Sequence, residues 1–264
     1  MARPPRPPWS AFASKVLLPW LVPGLLLAAW WALAETGWIP SRVFPAPGEV
    51  WQAAAGLGRS GELWRHLGIS AGRAGLGFVI GASIGFALGL LNGLSPWAET
   101  LLDSSVHMIR NVPHLSLIPL VILWFGIDEQ AKIFLVALGV FFPVYVNTFH
   151  GVRTVDPQLM EMARVYGLDG LGLFREVVFP AALPSILVGV RYALGVMWLS
   201  LIVAETIATT SGIGYLAMNA REFMQTDVML VAILLYSLLG KLADSLARGL
   251  ERRLLRWHPA YRGA

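Results

Sequence analysis

The sequence predicts an all-α protein, a polytopic bundle of six helices that cross a membrane, and three observations predict it. Of its 264 residues 56% are hydrophobic and 14% charged, with a mean hydropathy of +0.63. Soluble domains carry about a quarter charged residues, so this chain has too few to cover itself in water. The apolar residues gather in six runs, 16–34, 74–94, 101–126, 131–149, 183–205 and 228–246, each close to or above the roughly 20 residues a helix needs to span a bilayer. With the N-terminus placed inside, the inner segments hold fourteen of the 20 lysines and arginines and the outer segments six, which puts both ends in the cytoplasm. Eleven tryptophans and six tyrosines supply rings suited to the headgroup level. The absence of cysteine excludes disulfides, thiolate chemistry and cysteine-bound metals. A net charge of +4 gives no reason to invoke nucleic acid.

Residues 1–15, with Arg3, Arg6, Lys15 and four prolines, predict an unfolded basic tail ahead of the membrane. The run 16–34 then forms the first anchor. Ala32-Leu33-Ala34 looks like a signal-peptide cleavage site, but the run is longer than the usual ~7–15 residues, so an uncleaved anchor is expected. Residues 35–70, with Pro40, Pro45, Pro47 and the pattern Glu49-Val50-Trp51-Gln52, suggest a periplasmic loop carrying a short amphipathic helix. Residues 71–250 form the membrane core, and 251–264 a basic cytoplasmic tail.

In the second span Gly77, Gly81, Gly85, Gly89 and Gly93 recur every four residues, laying small residues along one winding stripe where two backbones can approach. Tight packing inside one bundle explains such a stripe; a dimer seam or a face lining the pathway is the alternative. The third span carries Asp103, His107, Arg110 and His114, which would share one face of a continuous helix, although Pro113 disfavours helical geometry just before it. One carboxylate and two histidines seven apart make a weak ligand pattern, so no metal site is assigned. A solvated inner helix end or a polar surface on the substrate path explains the stripe better.

In the fourth span Pro143 removes a backbone hydrogen bond and should kink the helix. The fifth holds Arg191 and Glu205, about 21 Å apart along the axis, so each is expected to reach its own membrane face. The sixth is apolar to Gly240, then meets Lys241 and Asp244.

The segment 151–184 is a cytoplasmic loop with its own organisation. Asp156 is a good helix cap, Pro157 a good first helical residue, and Gly167 a natural stop. Leu159, Met160, Ala163 and Tyr166 fall at helical spacing on one side, and a second short helix, 171–178, is expected to end at Phe179-Pro180. The chain reads Glu161-Met162-Ala163, three residues, Gly167, nine residues, Val177-Val178-Phe179-Pro180. This resembles the cytoplasmic signature of the permease subunits of ATP-binding-cassette importers: Glu-Ala-Ala, three residues, Gly, nine residues, Ile-x-Leu-Pro. Spacing is kept throughout, while Met162, Val177 and Phe179 are apolar departures.

The resemblance covers nearly all of residues 60–260. The phrases LWRHLGIS, IPLVILWFGI, AETIA, SGIGYL and LLRWHPAY look like the nitrate, sulfonate, taurine and bicarbonate branch, and are most similar to the aliphatic sulfonate permeases. It implies a type I importer permease fold in the bacterial inner membrane, importing a small anion. It also implies a cytoplasmic ATPase dimer that binds ATP and magnesium, a periplasmic solute-binding protein and a second permease copy, most simply an identical one. Asp156, Glu161, Ala163, Gly167, Val177 and Pro180 would form the loop that docks on the ATPase; Glu161 would make a polar contact, Ala163 would allow close approach and Gly167 the turn. The chain itself has no phosphate-binding G-x-x-x-x-G-K-[ST] loop and no convincing nucleophile and base pair, so it is expected to be a transport subunit without a cofactor of its own. His107, Arg110, Arg191 and Glu205 are candidates for the pathway or an outer gate. A secondary transporter would instead show internal repeats and an ion-coordinating cluster, and a membrane enzyme acids or histidines converging at one depth.

Overall fold

The computed structural model describes residues 18–36, 40, 43–207 and 209–258, and every regular element among them is helical. The expected basic tail at 1–15 and the last residues of the C-terminal tail lie outside the described residues. The chain divides into two compact units, residues 1–63 with 219–231, and 64–218 with 232–264.

In the first unit, α1 is Leu18–Glu35 and α2 is Pro47–Ser60. The Trp30 indole N–H donates to the Pro45 carbonyl at 3.1 Å, and its ring meets Phe44 at 5.1 Å. Pro47 opens α2, and the Glu49 side chain accepts from the Ala46 N–H at 2.9 Å, engaging a donor that the helix itself cannot. Gly61, at φ 81°, ends α2 in the left-handed conformation, and α3, Glu62–Leu94, starts at the next residue.

At 33 residues α3 is about 50 Å long against a hydrocarbon layer of ~30 Å, so it extends beyond that layer. The expected third span is not one helix. A π turn, Glu99–Asp103, leads into α4, Ser104–Arg110; the chain then breaks at 111–113, passes a 3-10 turn, His114–Leu117, and continues as α5, Ile118–Phe125. The two halves are bent by 80°. Pro113, extended at ψ 112° and without an N–H, stops the first half, and His114 therefore does not share a face with Asp103, His107 and Arg110.

The remaining elements are α6, Glu129–Arg153; α7, Pro157–Val165; α8, Phe179–Thr206; α9, Ile213–Glu222; and α10, Thr226–Leu254. The second short helix does not end at Phe179-Pro180. The turn Gly170–Leu173 widens into a π turn, Phe174–Val178, and runs straight into α8, giving one 37-residue helix, Gly170–Thr206. A widened turn accommodates the missing N–H of Pro180 without ending the helix.

Among the described residues α3, α6, Gly170–Thr206 and α10 are long and apolar enough to cross a membrane, and the bent α4–α5 pair makes a fifth. The expected first anchor is the shorter apolar helix within α1.

In the second unit α6 is the central post. A Cβ placed on Gly77, Gly81, Gly85, Gly89 or Gly93 would lie 2.2–2.8 Å from atoms of Val136, Ala137, Phe141, Thr148 or Val152, several of them backbone. The glycine stripe of α3 therefore lies directly against α6. In lipid, where apolar side chains gain little by leaving the solvent, such close packing is a main source of helix association. Against the other side of α6, Gly189 of α8 faces Asn147 and the Pro143 carbonyl equally tightly. Ala74, Val136, Val140, Val144, Ala193, Met197 and Leu201 fill the space between the three helices.

Candidate functional site

Two sites emerge at different places in the second unit, a buried polar hub and a projecting loop. The hub centres on Glu205, next to the end of α8, with 0% of its surface exposed. It was expected to reach a membrane face; instead several donors converge on it. The Ser70 hydroxyl lies 2.8 Å from both carboxylate oxygens, an Arg73 Nη1 donates at 2.8 Å, the Gly214 N–H at 2.9 Å and the Tyr236 hydroxyl at 3.0 Å. Ser70 in turn accepts from the Ile213 N–H at 2.8 Å, and His66 Nδ1 accepts from the Gly212 N–H at 3.0 Å.

Glycine is required on the chain that folds over the acid. Gly212 sits at φ 112°, and a Cβ there would be 2.4 Å from the Glu205 carboxyl carbon; one on Gly214 would be 2.5 Å from the Glu205 Cβ. The phrases AETIA and SGIGYL are thus a carboxylate and the cradle built around it.

Arg73, one helical turn along α3 from Ser70, is 3% exposed and joins the hub to solvent. Its Nε and one Nη grip the two oxygens of Glu129, the first residue of α6, in a two-pronged pair. The other Nη divides itself between Glu205 and the Ser211 carbonyl, while the Ser211 hydroxyl accepts from Arg73 at 3.0 Å. Glu129 is 58% exposed. Lys132, buried one turn further on, donates to the Ile127 carbonyl at 2.9 Å and stands 3.8 Å from Glu129. The two buried cations are thus each met by an acid, Arg73 by Glu205 and Glu129 and Lys132 by Glu129, as cations withdrawn from water require.

The other predicted pathway residues are not part of this hub. His107 pairs with Asp103 at 3.3 Å, and Asp103 accepts from the Tyr145 hydroxyl at 2.8 Å. His114, beyond the break, meets the Ser200 hydroxyl at 2.8 Å. Arg191 does not extend alone to a face but pairs with Asp244 of α10 at 2.9 Å. Arg191 and Arg110 line two adjoining open grooves that share Val188 and Tyr192. Sequence reasoning missed Ser70, Arg73, Glu129, Lys132, Ser211 and Tyr236; an arginine at the edge of an apolar run was the available signal.

The loop of residues 151–184 is built locally. The Asp156 side chain accepts from the Gln158 N–H at 2.8 Å, capping α7, and Pro157 occupies its first turn. At the far end Gly167, at φ 83°, donates to the Arg164 carbonyl at 2.9 Å and Leu168 to the Ala163 carbonyl at 3.0 Å, a paired closure that satisfies two carbonyls the helix leaves open. Met160, Leu173, Phe174 and Phe179 pack on Val152, Val155, Val178, Ala182 and Ile186. Ala163 is buried. Leu159 and Tyr166 do not join that face: Leu159 is exposed within the helix, and Tyr166, also exposed, already leaves the helix at its cap. Val177, in the π turn ahead of α8, and Pro180, in the first turn of α8, are half-buried, while Glu161 and Arg164 face outward. The tip presents Val165 and Tyr166, 87% and 81% exposed.

Residues 77–256 match the family described as the binding-protein-dependent transport system inner membrane component. An Escherichia coli K12 protein named as an aliphatic sulfonates transport permease, SsuC, is 63% identical over 243 residues, 92% of each chain. The Bacillus subtilis 168 protein of the same name is 47% identical, over 92% of this chain and 88% of its own. The E. coli taurine transport system permease TauC is 36% identical over 89% and 87%. Among solved structures, a chain of the MetNI methionine ABC transporter in inward-facing form aligns with a TM-score of 0.57 at 20% identity, covering 73% of this chain and 94% of that one.

Proposed function

The chain belongs to the family of inner-membrane components of binding-protein-dependent transport systems, with the type I importer permease fold, and on that premise we propose that it carries aliphatic sulfonates inward. Members of this family are transport components, and the ATPase is a separate subunit. The identity of 63% across 92% of both chains supports the sulfonate assignment; taurine, nitrate and other small solutes of the same branch are the substrates to compare against it. A periplasmic binding protein delivers the solute, two identical copies of this chain enclose the path, and both termini lie in the cytoplasm.

In this reading the loop of residues 151–184 docks on an ATPase dimer that holds the ATP and magnesium. One observation carries it: the apolar tip, Val165 and Tyr166, is almost wholly exposed at the end of a helix capped at both ends. A partner shifts a conformational equilibrium only through contacts that differ between the two states, and a stiff projection transmits such contacts better than a slack loop. Glu161 supplies a charged contact beside the tip. Gly167 supplies the left-handed turn that costs other residues about 1–2 kcal/mol.

The test is ATP hydrolysis and ethanesulfonate uptake by the whole complex in proteoliposomes. Glu161→Lys and Gly167→Asp are expected to leave the permease assembled in the membrane while both activities fall at least tenfold. Normal uptake in the two variants would defeat the docking assignment.

A further inference from the structure

We propose that Arg73 and Lys132 form a receiving site for the anionic head of the transported solute, and that Glu129 occupies this site in the absence of cargo. The proposal rests on the anion-import reading above and deepens it by naming the residues that meet the charge.

The geometry of the Arg73 pairs carries the argument. One edge of its guanidinium, through an Nη, is committed inward to Glu205 and the Ser211 carbonyl. The other, Nε and the second Nη, holds both oxygens of Glu129 side-on. That fork fits any group presenting two oxygens at carboxylate spacing, and a sulfonate presents such a pair on each of its faces. The cation is fixed and 3% exposed, whereas the acid that covers it is 58% exposed. The exposed partner can therefore swing into solvent while Arg73 stays held by Glu205 and the Ser211 carbonyl.

Charge decides what replaces it. With Glu129 in place, its carboxylate faces both the Arg73 fork and the Lys132 ammonium, while Glu205 holds the inner edge of Arg73 and the Asp128 carboxylate also acts on Lys132. With Glu129 turned away, the outer fork of Arg73 is left without an anionic partner, and a monoanion restores one. The incoming oxygens would find the Arg73 fork, the Ser211 hydroxyl that already lies 3.0 Å from Arg73, and the Lys132 ammonium, now 3.8 Å from Glu129 and held by the Ile127 and Asp128 carbonyls. A neutral or cationic solute gains nothing there. The arrangement thus selects for charge at a point where the path need not expose a free cation between cycles.

The experiment uses the detergent-solubilised complex of permease and ATPase, and follows its thermal unfolding against ethanesulfonate concentration at fixed ionic strength, with chloride and ethylammonium as controls. Glu129→Gln removes the internal competitor and keeps its shape. The ethanesulfonate concentration for half-maximal stabilisation is expected to fall about fivefold, equivalent to about 1 kcal/mol. Lys132→Gln is expected to raise it by a similar factor. If Glu129 is only a structural latch, Glu129→Gln lowers the midpoint equally with and without ethanesulfonate and leaves its concentration dependence unmoved, and the site is overturned. Ethanesulfonate uptake by the wild-type complex in proteoliposomes separates the two readings: no uptake removes the sulfonate function itself, whereas uptake with an unmoved concentration dependence removes only the receiving site.

Discussion

The Glu205 hub and the 151–184 loop are built on opposite plans. The hub draws Ser70, Arg73, Glu129, Glu205, Ser211, Gly214 and Tyr236 from five stretches of chain, and Ser70 and Glu205 are separated by 135 positions. The loop closes on itself within a few residues, Asp156 to Gln158 at one end and Leu168 to Ala163 at the other. Glu205 is wholly buried and Tyr166 almost wholly exposed. A polar group inside a bundle is held by everything around it, so changing it disturbs the fold. An apolar group projecting from a capped helix is held by nothing in this chain, so changing it disturbs only what it would touch. The comparison therefore predicts that stability effects and transport effects separate along the sequence.

The largest stability effect belongs to Glu205→Ala. It leaves the Ser70 and Tyr236 hydroxyls and the Gly214 N–H without their acceptor and Arg73 without its buried partner. Breaking a buried pair in this way costs about 3–5 kcal/mol, a large part of a typical folding free energy of ~5–15 kcal/mol. Thermal unfolding and size-exclusion profiles of the solubilised protein should show a strongly lowered midpoint and loss of the monodisperse peak. Glu205→Ala with a wild-type midpoint would mean that the hub does not hold the bundle, and the contrast would lose its first half.

The same contrast explains what the sequence disclosed. Six apolar runs, the four-residue glycine period and the capped loop are all local patterns, and local patterns survive in one dimension. The period of four on α3 is visible in the residues because the helix repeats nearly every four; that its partner is α6 is not, because Val136 and Thr148 carry no mark of it. Pro113 was visible as a disfavoured helical position, yet an 80° bend depends on how α5 packs on Leu135 and Ala204. Glu205 was legible as an ionisable residue and misplaced at a membrane face. The nearest basic residue on its own helix, Arg191, is too distant to pair, and the true partner, Arg73, lies 132 positions away. Arg191 was misjudged for the same reason, since Asp244 is on another helix.

A smaller effect tests whether the loop's stiffness is local. Asp156→Ala removes the acceptor for the Gln158 N–H, which costs about 1 kcal/mol at a helix cap. Because α7 is a short element beside a separate core, that cost should appear as opening of residues 157–165 rather than of the whole protein. Hydrogen exchange should therefore speed up about fivefold across α7, with the amides of α6 and α8 unchanged. Equal acceleration in α6 would show the loop and bundle to be one cooperative unit.

The smallest effect on stability should accompany a large one on transport. Tyr166 leaves α7 at its C-terminal cap, its side chain projects, and its backbone N–H bonds to the Met162 carbonyl at 3.2 Å whatever the side chain is. Tyr166→Ala thus removes no internal contact that the fold depends on, and its midpoint should stay within about 0.5 kcal/mol of wild type, as surface changes away from special features do. If the tip is the surface that the ATPase grips, the lost ring is an aromatic anchor of the kind that contributes about 2 kcal/mol or more at an interface. Coupled hydrolysis and uptake should then fall by a factor of about 30 at subsaturating ATPase. Val165→Ala, a smaller truncation at the neighbouring position, should fall less. An unchanged midpoint with unchanged coupling in the double variant would leave the exposed tip without a partner, and the second half of the contrast would fail while the first stood.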